Sequence, residues 1–254
     1  LELDRAVLKP IRGNIDELIE LTERQTGIEL SENQKQAVRI AMKSGVAVIT
    51  GGPGTGKTTI INTIMAIFRH NGFSAAIAAP TGRAAKRITE TSGHEASTIH
   101  RLLEYYYSEG EDSMRFGKNE ENPLRFDAII IDEASMIDIM LMKGLLEAIP
   151  AGTRLIIVGD ADQLPPVGAG NVLRDVIESE IISSIKLTEI FRQAKESLIV
   201  VNALKINRGE YPDVNERDKD FFLLHRKSEK EMLATILDLC ARRLPSVPPM
   251  RTCP

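Results

Sequence analysis

The residues best equipped for chemistry begin with Gly51-Gly-Pro-Gly-Thr-Gly-Lys-Thr58, which satisfies G-x-x-x-x-G-K-[ST] with Gly51, Gly56, Lys57 and Thr58 in the fixed places. Such a string suits an anion cradle. Glycines let backbone N–H groups turn inward, a helix starting near Lys57 offers unpaired N–H groups, and the lysine adds a mobile positive charge. Gly52, Pro53, Gly54, Thr55, Gly56, Lys57, Thr58 and Thr59 are the expected nucleotide-binding set, with the Thr58 hydroxyl directed to Mg²⁺. The second chemical centre is Asp127-Ala-Ile-Ile-Ile-Asp-Glu-Ala-Ser135, where an isoleucine run delivers two adjacent carboxylates. Asp132 suits the metal side, and Glu133 suits the base that orients and deprotonates water. A glycine turn without a ligand, or an acidic pair at a surface, is common when met alone. Their occurrence together makes nucleotide hydrolysis the stronger reading.

Three further positions could serve the same reaction. Gln163, in Gly159-Asp-Ala-Asp-Gln-Leu-Pro-Pro-Val-Gly168, hydrogen-bonds both ways and could sense a terminal phosphate, while Asp160 and Asp162 beside it read as turn residues rather than metal ligands. Arg192, in Thr188-Glu-Ile-Phe-Arg-Gln193, is a candidate clamp on the γ-phosphate, because guanidinium pairs bidentately with phosphate oxygens. Gln34 sits in the first turn of a helix that Ser31 should cap. From spacing alone it is a solvated helix residue; the alternative is an amide that pairs with both edges of adenine.

The elements that must hold these groups are legible as alternating strands and helices. Val46 to Ile49 reads as a buried strand and Thr59 to Phe68 as the helix after it, ended by Asn71-Gly72. Phe73 to Ala79, the isoleucine run, Arg154 to Val158 and Ser184 to Leu187 are the other expected core strands, with a helix over Met136 to Ile149. Alternation of this kind implies a parallel sheet covered on both faces. In such a sheet ligands gather at the C-terminal strand ends, so Thr81, Arg83, Lys86 and Arg87, in the helix opening at Pro80, are expected to form a track for phosphates rather than a solvated face. Ser97 to Tyr105 reads as a short helix, and Tyr105-Tyr-Tyr107 either stacks on bases or caps a core edge. The acidic stretch from Ser108 to Pro123 reads as an exposed loop.

At the N-terminus, Ile15, Leu18 and Ile19 have helical spacing and Gly27 is a stop, so residues 1–27 read as the tail of a preceding helical domain or linker. Beyond the core, a helix over Leu198 to Arg208 stops at Gly209, Phe221 to Leu224 reads as a strand, Glu229 to Arg243 as an amphipathic helix, and 245–254 as a proline-rich tail. The 254 residues carry a net charge of −4, which argues against coating DNA by bulk charge yet permits a local basic track. Both cysteines, Cys240 and Cys253, lack metal-ligand spacing, and His94 and His100 have no third partner nearby. With only two cysteines a disulfide scaffold is not expected and a cytoplasmic setting is; no stretch has the length of a membrane span and no signal peptide is visible, so no membrane association is expected. Leu1 in place of methionine points to a piece of something longer or a processed product.

The chain resembles the first motor domain of superfamily 1 DNA helicases, most closely the RecD-like group with its RecD2 branch. The segments that carry the resemblance are Gly51 to Thr58, Ala79-Pro-Thr-Gly-Arg-Ala-Ala-Lys-Arg87, Ser97-Thr-Ile-His-Arg-Leu-Leu103, Phe116-Gly-Lys-Asn-Glu-Glu-Asn-Pro-Leu124, Asp132-Glu-Ala-Ser-Met136, Gly159 to Gly168 and Leu187-Thr-Glu-Ile-Phe-Arg-Gln193. The resemblance implies a RecA-like P-loop NTPase fold over residues 28–244, using ATP and Mg²⁺. It implies that Gln34 reads adenine, that Gln163 and Arg192 couple the γ-phosphate to movement between two motor domains, and that Pro80, Thr81, Gly82, Arg83, Lys86, Thr98, His100 and Arg101 hold single-stranded DNA. The implied activity is 5′ to 3′ translocation and unwinding in DNA repair. Nothing after Gly209 resembles the second motor domain, so the chain by itself is expected to bind nucleotide and to unwind nothing. A GTPase or AAA+ switch and a catalytically silent module are the competing readings. The nearest string to a guanine-reading Asn-Lys-x-Asp is Asn215-Glu-Arg-Asp218, which lacks the lysine.

Overall fold

The computed structural model describes residues 2–108, 113–189, 197–214 and 220–243. It divides into two compact units, 1–194 and 195–254. In the first, α1 (Glu2–Arg5), α2 (Ile15–Thr26) and α3 (Glu32–Lys43) precede β1 (Val46–Gly51), α4 (Lys57–His70), β2 (Ala75–Ala79) and α5 (Gly82–Ser92). Then come β3 (Ala96–Thr98), α6 (Ile99–Leu102), β4 (Tyr105–Ser108), β5 (Ser113–Phe116), β6 (Ala128–Ile131), α7 (Ile139–Ala148), β7 (Arg154–Gly159), α8 (Val172–Glu178) and β8 (Ser183–Leu187). Six strands form one parallel sheet in the order β3-β2-β6-β7-β1-β8. All their C-terminal ends therefore open on one edge, as the alternation of elements requires.

The apolar runs are continuous because both faces of the sheet are covered. In β6, Ala128 and Ile130 enter one core with Ile49, Ile60, Ile64 and Phe68, while Ile129 and Ile131 enter the opposite core with Val48, Ile99, Leu145 and Leu173. A substitution that breaks the two-residue period has no polar face to hide on.

Residues 2–27 pack into this first unit. Asn14 caps α2, Gly27 closes it at φ 69°, and Leu18 and Ile19 are buried in the core with α3 and α4. Arg154, at the start of β7, is buried; its guanidinium donates to the carbonyls of Met42 (3.2 Å) and Lys9 (2.9 Å) and lies over the Phe73 ring. Lys9 in turn pairs with Asp127 at 2.8 Å. Burial holds the Arg154 guanidinium below its ordinary pKa, with Asp127 opposing. These contacts staple the N-terminal segment across the N-terminal end of the sheet.

Several expectations are corrected. Ala96 to Thr98 is an edge strand paired with β2, and the helix begins at Ile99, with the Thr98 hydroxyl accepting from the Arg101 N–H. Three residues are too few for a periodic signal, and the free edge of β2 decides their state. The region read as an exposed loop contains β5, which pairs antiparallel with β4. Phe116 anchors this ribbon, since a Cβ on Gly144 of α7 would lie 2.5 Å from the Phe116 ring and only glycine leaves room. Tyr105 and His100 meet the same ring at 5.1 and 6.3 Å, an aromatic cluster at the base of the ribbon. The helix expected from Met136 is split: a 3-10 turn, Ala134–Met136, precedes α7, which Asp138 caps through the Leu141 N–H.

In the second unit, α9 (Leu198–Asn207) and α10 (Glu229–Asp238) are helical. The Asp220 carboxylate accepts from the Ser197 hydroxyl and the Leu198 N–H, closing the start of α9. Phe221 to Leu224 is not a strand. The expected helix over Glu229 to Arg243 turns into a π-helical segment at Leu239. The proline-rich tail and Arg192 lie outside the described residues. Among the described residues, no helix is long and apolar enough to cross a membrane.

Candidate nucleotide site

A cleft of about 280 Å³ opens at the C-terminal edge of the sheet. Its lining comprises Gly52 to Thr58, then Ala84, Arg87, Ile88 and Thr91 from α5, Asp132 and Glu133 after β6, and Gln163 after β7. The phosphate loop shapes one wall. Gly54 and Gly56 take φ of 75° and 80°, which L side chains rarely adopt, and Gly56 precedes α4 as an N-cap that offers no side chain. The first N–H groups of a 14-residue helix are thus left to a ligand, at the end where the helix dipole favours an anion. Thr55 is buried and its hydroxyl donates to the Gly52 carbonyl at 2.8 Å, bracing the loop. The Lys57 ammonium donates to the carbonyls of Gly51 (2.6 Å) and Gly52 (3.1 Å), so its charge already sits inside the cradle.

The facing wall carries the carboxylates. Although β7 stands between β1 and β6 in the sheet, the parallel register brings Asp132 and Glu133 to the same edge as Lys57. Asp132 is buried, and its backbone N–H donates to the Ala78 carbonyl. Burial raises its carboxyl above the ordinary range and the Glu133 charge adds to this; the Glu133 N–H, Lys57 and Arg87 oppose it. A buried acid of this kind gains from a bound cation. Glu133 has φ 54° and ψ 38°, a left-handed conformation that favours glycine and is strained for an L side chain, and it turns the chain sharply after the strand. Gln163 is held from two sides, donating to Asp160 (3.3 Å) and accepting from the buried Ser135 hydroxyl (3.5 Å). Asp160 also accepts from the Asp162 N–H, and the Ala161 N–H donates to Thr50 of β1. Asp160 therefore works as a turn residue, and Asp162 pairs with Lys186. Sequence reasoning missed Ser135 as a Gln163 partner.

Two members of the expected nucleotide set stay off the cleft wall. The Thr59 carbonyl accepts from Thr63 within α4. Gln34 is buried, not solvated; its amide accepts from the Ser31 N–H in a capping box and donates to the Thr55 carbonyl at 3.2 Å. It braces the phosphate loop from beneath. The proposed DNA set spreads along the β2 and β3 end of the same edge. Thr81 and Thr98 spend their hydroxyls capping α5 and α6, Arg83 and Arg101 are exposed, Lys86 pairs with Glu90, and His100 meets Tyr105 edge-on in the aromatic cluster. Pro80 and Gly82 flank the Thr81 cap.

Among the described residues, no three His, Cys, Asp or Glu side chains gather as a metal site. The donor set here, one buried carboxylate and the Thr58 hydroxyl beside an anion cradle, fits Mg²⁺, which keeps water and shares phosphate oxygens rather than needing an all-protein cage. The sequence profile of the family described as "AAA domain" matches residues 34–169, from the capping glutamine through the Gln163 loop. The chain belongs to this AAA-domain family. It is 40% identical over 183 residues to an ATP-dependent RecD2 DNA helicase of Deinococcus radiodurans, covering 72% of this chain and 24% of that protein. To the RecBCD enzyme subunit RecD of Mycolicibacterium smegmatis it is 37% identical over 189 residues, covering 64% of this chain and 34% of the relative. The crystal structure of a Pif1 helicase from Candida albicans superposes with a TM-score of 0.53 at 27% identity, over 73% of this chain and 46% of that one. The resemblance to RecD-like superfamily 1 helicases and the RecA-like parallel sheet are both borne out. The chain spans 24% and 34% of the length of these two curated relatives.

Proposed function

We propose that this chain is the ATP-hydrolysing first motor domain of a RecD-like 5′ to 3′ DNA helicase that works on single-stranded DNA in repair or recombination. The observation that carries the reading is the convergence of Lys57, Thr58, Asp132, Glu133 and Gln163 on one cleft, in a chain whose relative is an ATP-dependent RecD2 DNA helicase. The open start of α4 and the Lys57 ammonium bind the triphosphate. Thr58 and Asp132 would hold Mg²⁺, which neutralises phosphate charge when bound. Glu133 accepts a proton from the attacking water. Gln163, fixed by Asp160 and Ser135, reports the terminal phosphate to the loop after β7. Arg192 and an arginine of a second motor domain complete the charge around the transition state. Pro80, Thr81, Gly82, Arg83, Lys86, Thr98, His100 and Arg101 contact the DNA strand, chiefly its backbone, without regard to sequence.

The test is calorimetry with Mg-ATP and Mg-GTP on the chain, together with ATP turnover of the full-length parent with and without oligo-dT. Heat with ATP in preference to GTP, and turnover that rises with the strand, are the expected results. Absence of heat with any nucleotide ends the motor reading, and preference for GTP moves the chain to the switch class.

A further inference from the structure

The basic residues of α5 divide between two faces. Ala84, Arg87, Ile88 and Thr91 stand at i, i+3, i+4 and i+7 on one stripe of the helix, and all four line the nucleotide cleft. Arg83 and Lys86 lie off that stripe; Lys86 is paired with Glu90 one turn on, and Arg83 is exposed. The sequence placed Arg87 with them on a track for phosphates, and the packing of α5 beside α4 sets this arginine on the wall of the nucleotide cleft. The Arg87 guanidinium makes no ion pair among the described residues, whereas the Lys57 ammonium in the same cleft is engaged by two loop carbonyls. An always-charged fork with free donors, facing an anion cradle that has a cation on its other wall, is suited to phosphate oxygens.

We propose that Arg87 is a nucleotide-contacting residue that takes the terminal phosphate of the triphosphate from the α5 side. This deepens the motor reading and rests on it. Its consequence is mechanical, because α5 carries Thr81 and Arg83 at its start and Arg87 one turn later on the inner face. A ligand that draws Arg87 inward acts on the same rigid helix that meets the DNA strand, and the two sites share a coupling free energy.

The experiment is a pair of titrations on the chain and on its R87Q, R87K and R83Q variants. One uses Mg²⁺ with adenylyl imidodiphosphate and with ADP; the other uses a fluorescent oligo-dT strand. R87Q is expected to weaken the triphosphate analogue at least about tenfold, the loss of one charged contact. ADP and oligo-dT should each shift less than about twofold, and R87K should fall between wild type and R87Q. R83Q should show the reverse partition. Unchanged nucleotide affinity in R87Q, an equal loss for both nucleotides, or weakened oligo-dT binding with the nucleotide preference intact overturns the proposal. If the wild-type chain binds no nucleotide, the motor reading fails along with it, which separates the two failures. Thermal melting of each variant confirms the fold, which an exposed guanidinium does not support.

Discussion

Glu133 combines two demands at one position. The residue lines the cleft, and its backbone is left-handed, a conformation that costs an L residue roughly 1–2 kcal/mol. Strain of this kind persists where the surroundings impose it, here between the end of β6 and the 3-10 turn that follows. Two outcomes follow. Glu133→Gln keeps Mg-ATP binding and lowers turnover of the parent protein by about 10² to 10⁴, read by steady-state ATPase and calorimetry. Glu133→Gly should be more stable than Glu133→Ala by about 1 kcal/mol in urea unfolding, because glycine accepts the positive φ that alanine does not. An alanine variant as stable as the glycine one would show that the backbone is relaxed in solution.

At the level of elements, the cap of α5 and the staple of the N-terminal segment carry the clearest energetics. Thr81 accepts from the Ala84 N–H at 3.2 Å, so Thr81→Ala should cost about 1 kcal/mol of stability whether or not DNA is present. Asp127 joins the Lys9 ammonium and the Ser74 N–H. Burial pushes its carboxyl up, but those two partners outweigh burial and hold it below the ordinary range. A carboxyl depressed in the folded state adds stability above its unfolded pKa and loses it as pH falls through the folded one. Asp127→Asn should therefore melt below wild type near neutral pH, and the gap should close below about pH 4. Arg154→Met removes the donors that serve Met42 and Lys9 and should destabilise the chain by about 1–3 kcal/mol, measured by denaturant titration.

For the molecule as a whole, the order of strands sets a division of labour along one edge. The phosphate loop leaves β1 near one end of the sheet, the segments proposed to meet DNA leave β2 and β3 at the other, and the carboxylates and Gln163 leave the strands between. On the proposed reading, a second motor body is what converts this into movement. An arginine supplied across the cleft is worth about 10³ to 10⁵ in rate in related phosphoryl transfer. The 254-residue chain should therefore bind Mg-ATP, hydrolyse it slowly and leave a forked duplex intact in a strand-separation assay. Unwinding by this chain alone would mean that one motor body suffices.

The amino-acid sequence by itself determined the chemistry and the layers. The phosphate loop, the Asp132-Glu133 pair and the Gln163 loop are local strings whose geometry follows from glycine permissiveness, helix starts and strand ends. The buried strands of the core declare themselves because a sheet covered on both faces needs apolar residues at every position. Short-range signals could not reveal what non-local contacts decide. The strand state of Ala96 to Thr98 depends on the free edge of β2, and the β4–β5 ribbon depends on Phe116 finding Gly144. Gln34 looks solvated until Thr55 arrives above it, and Arg154 looks like a strand's polar start until Met42 and Lys9 cover it. Arg87 is the sharpest case. Its neighbours in sequence are the cations Arg83 and Lys86, and only the packing of α5 beside α4 sets Arg87, alone of the three, on the wall of the cleft.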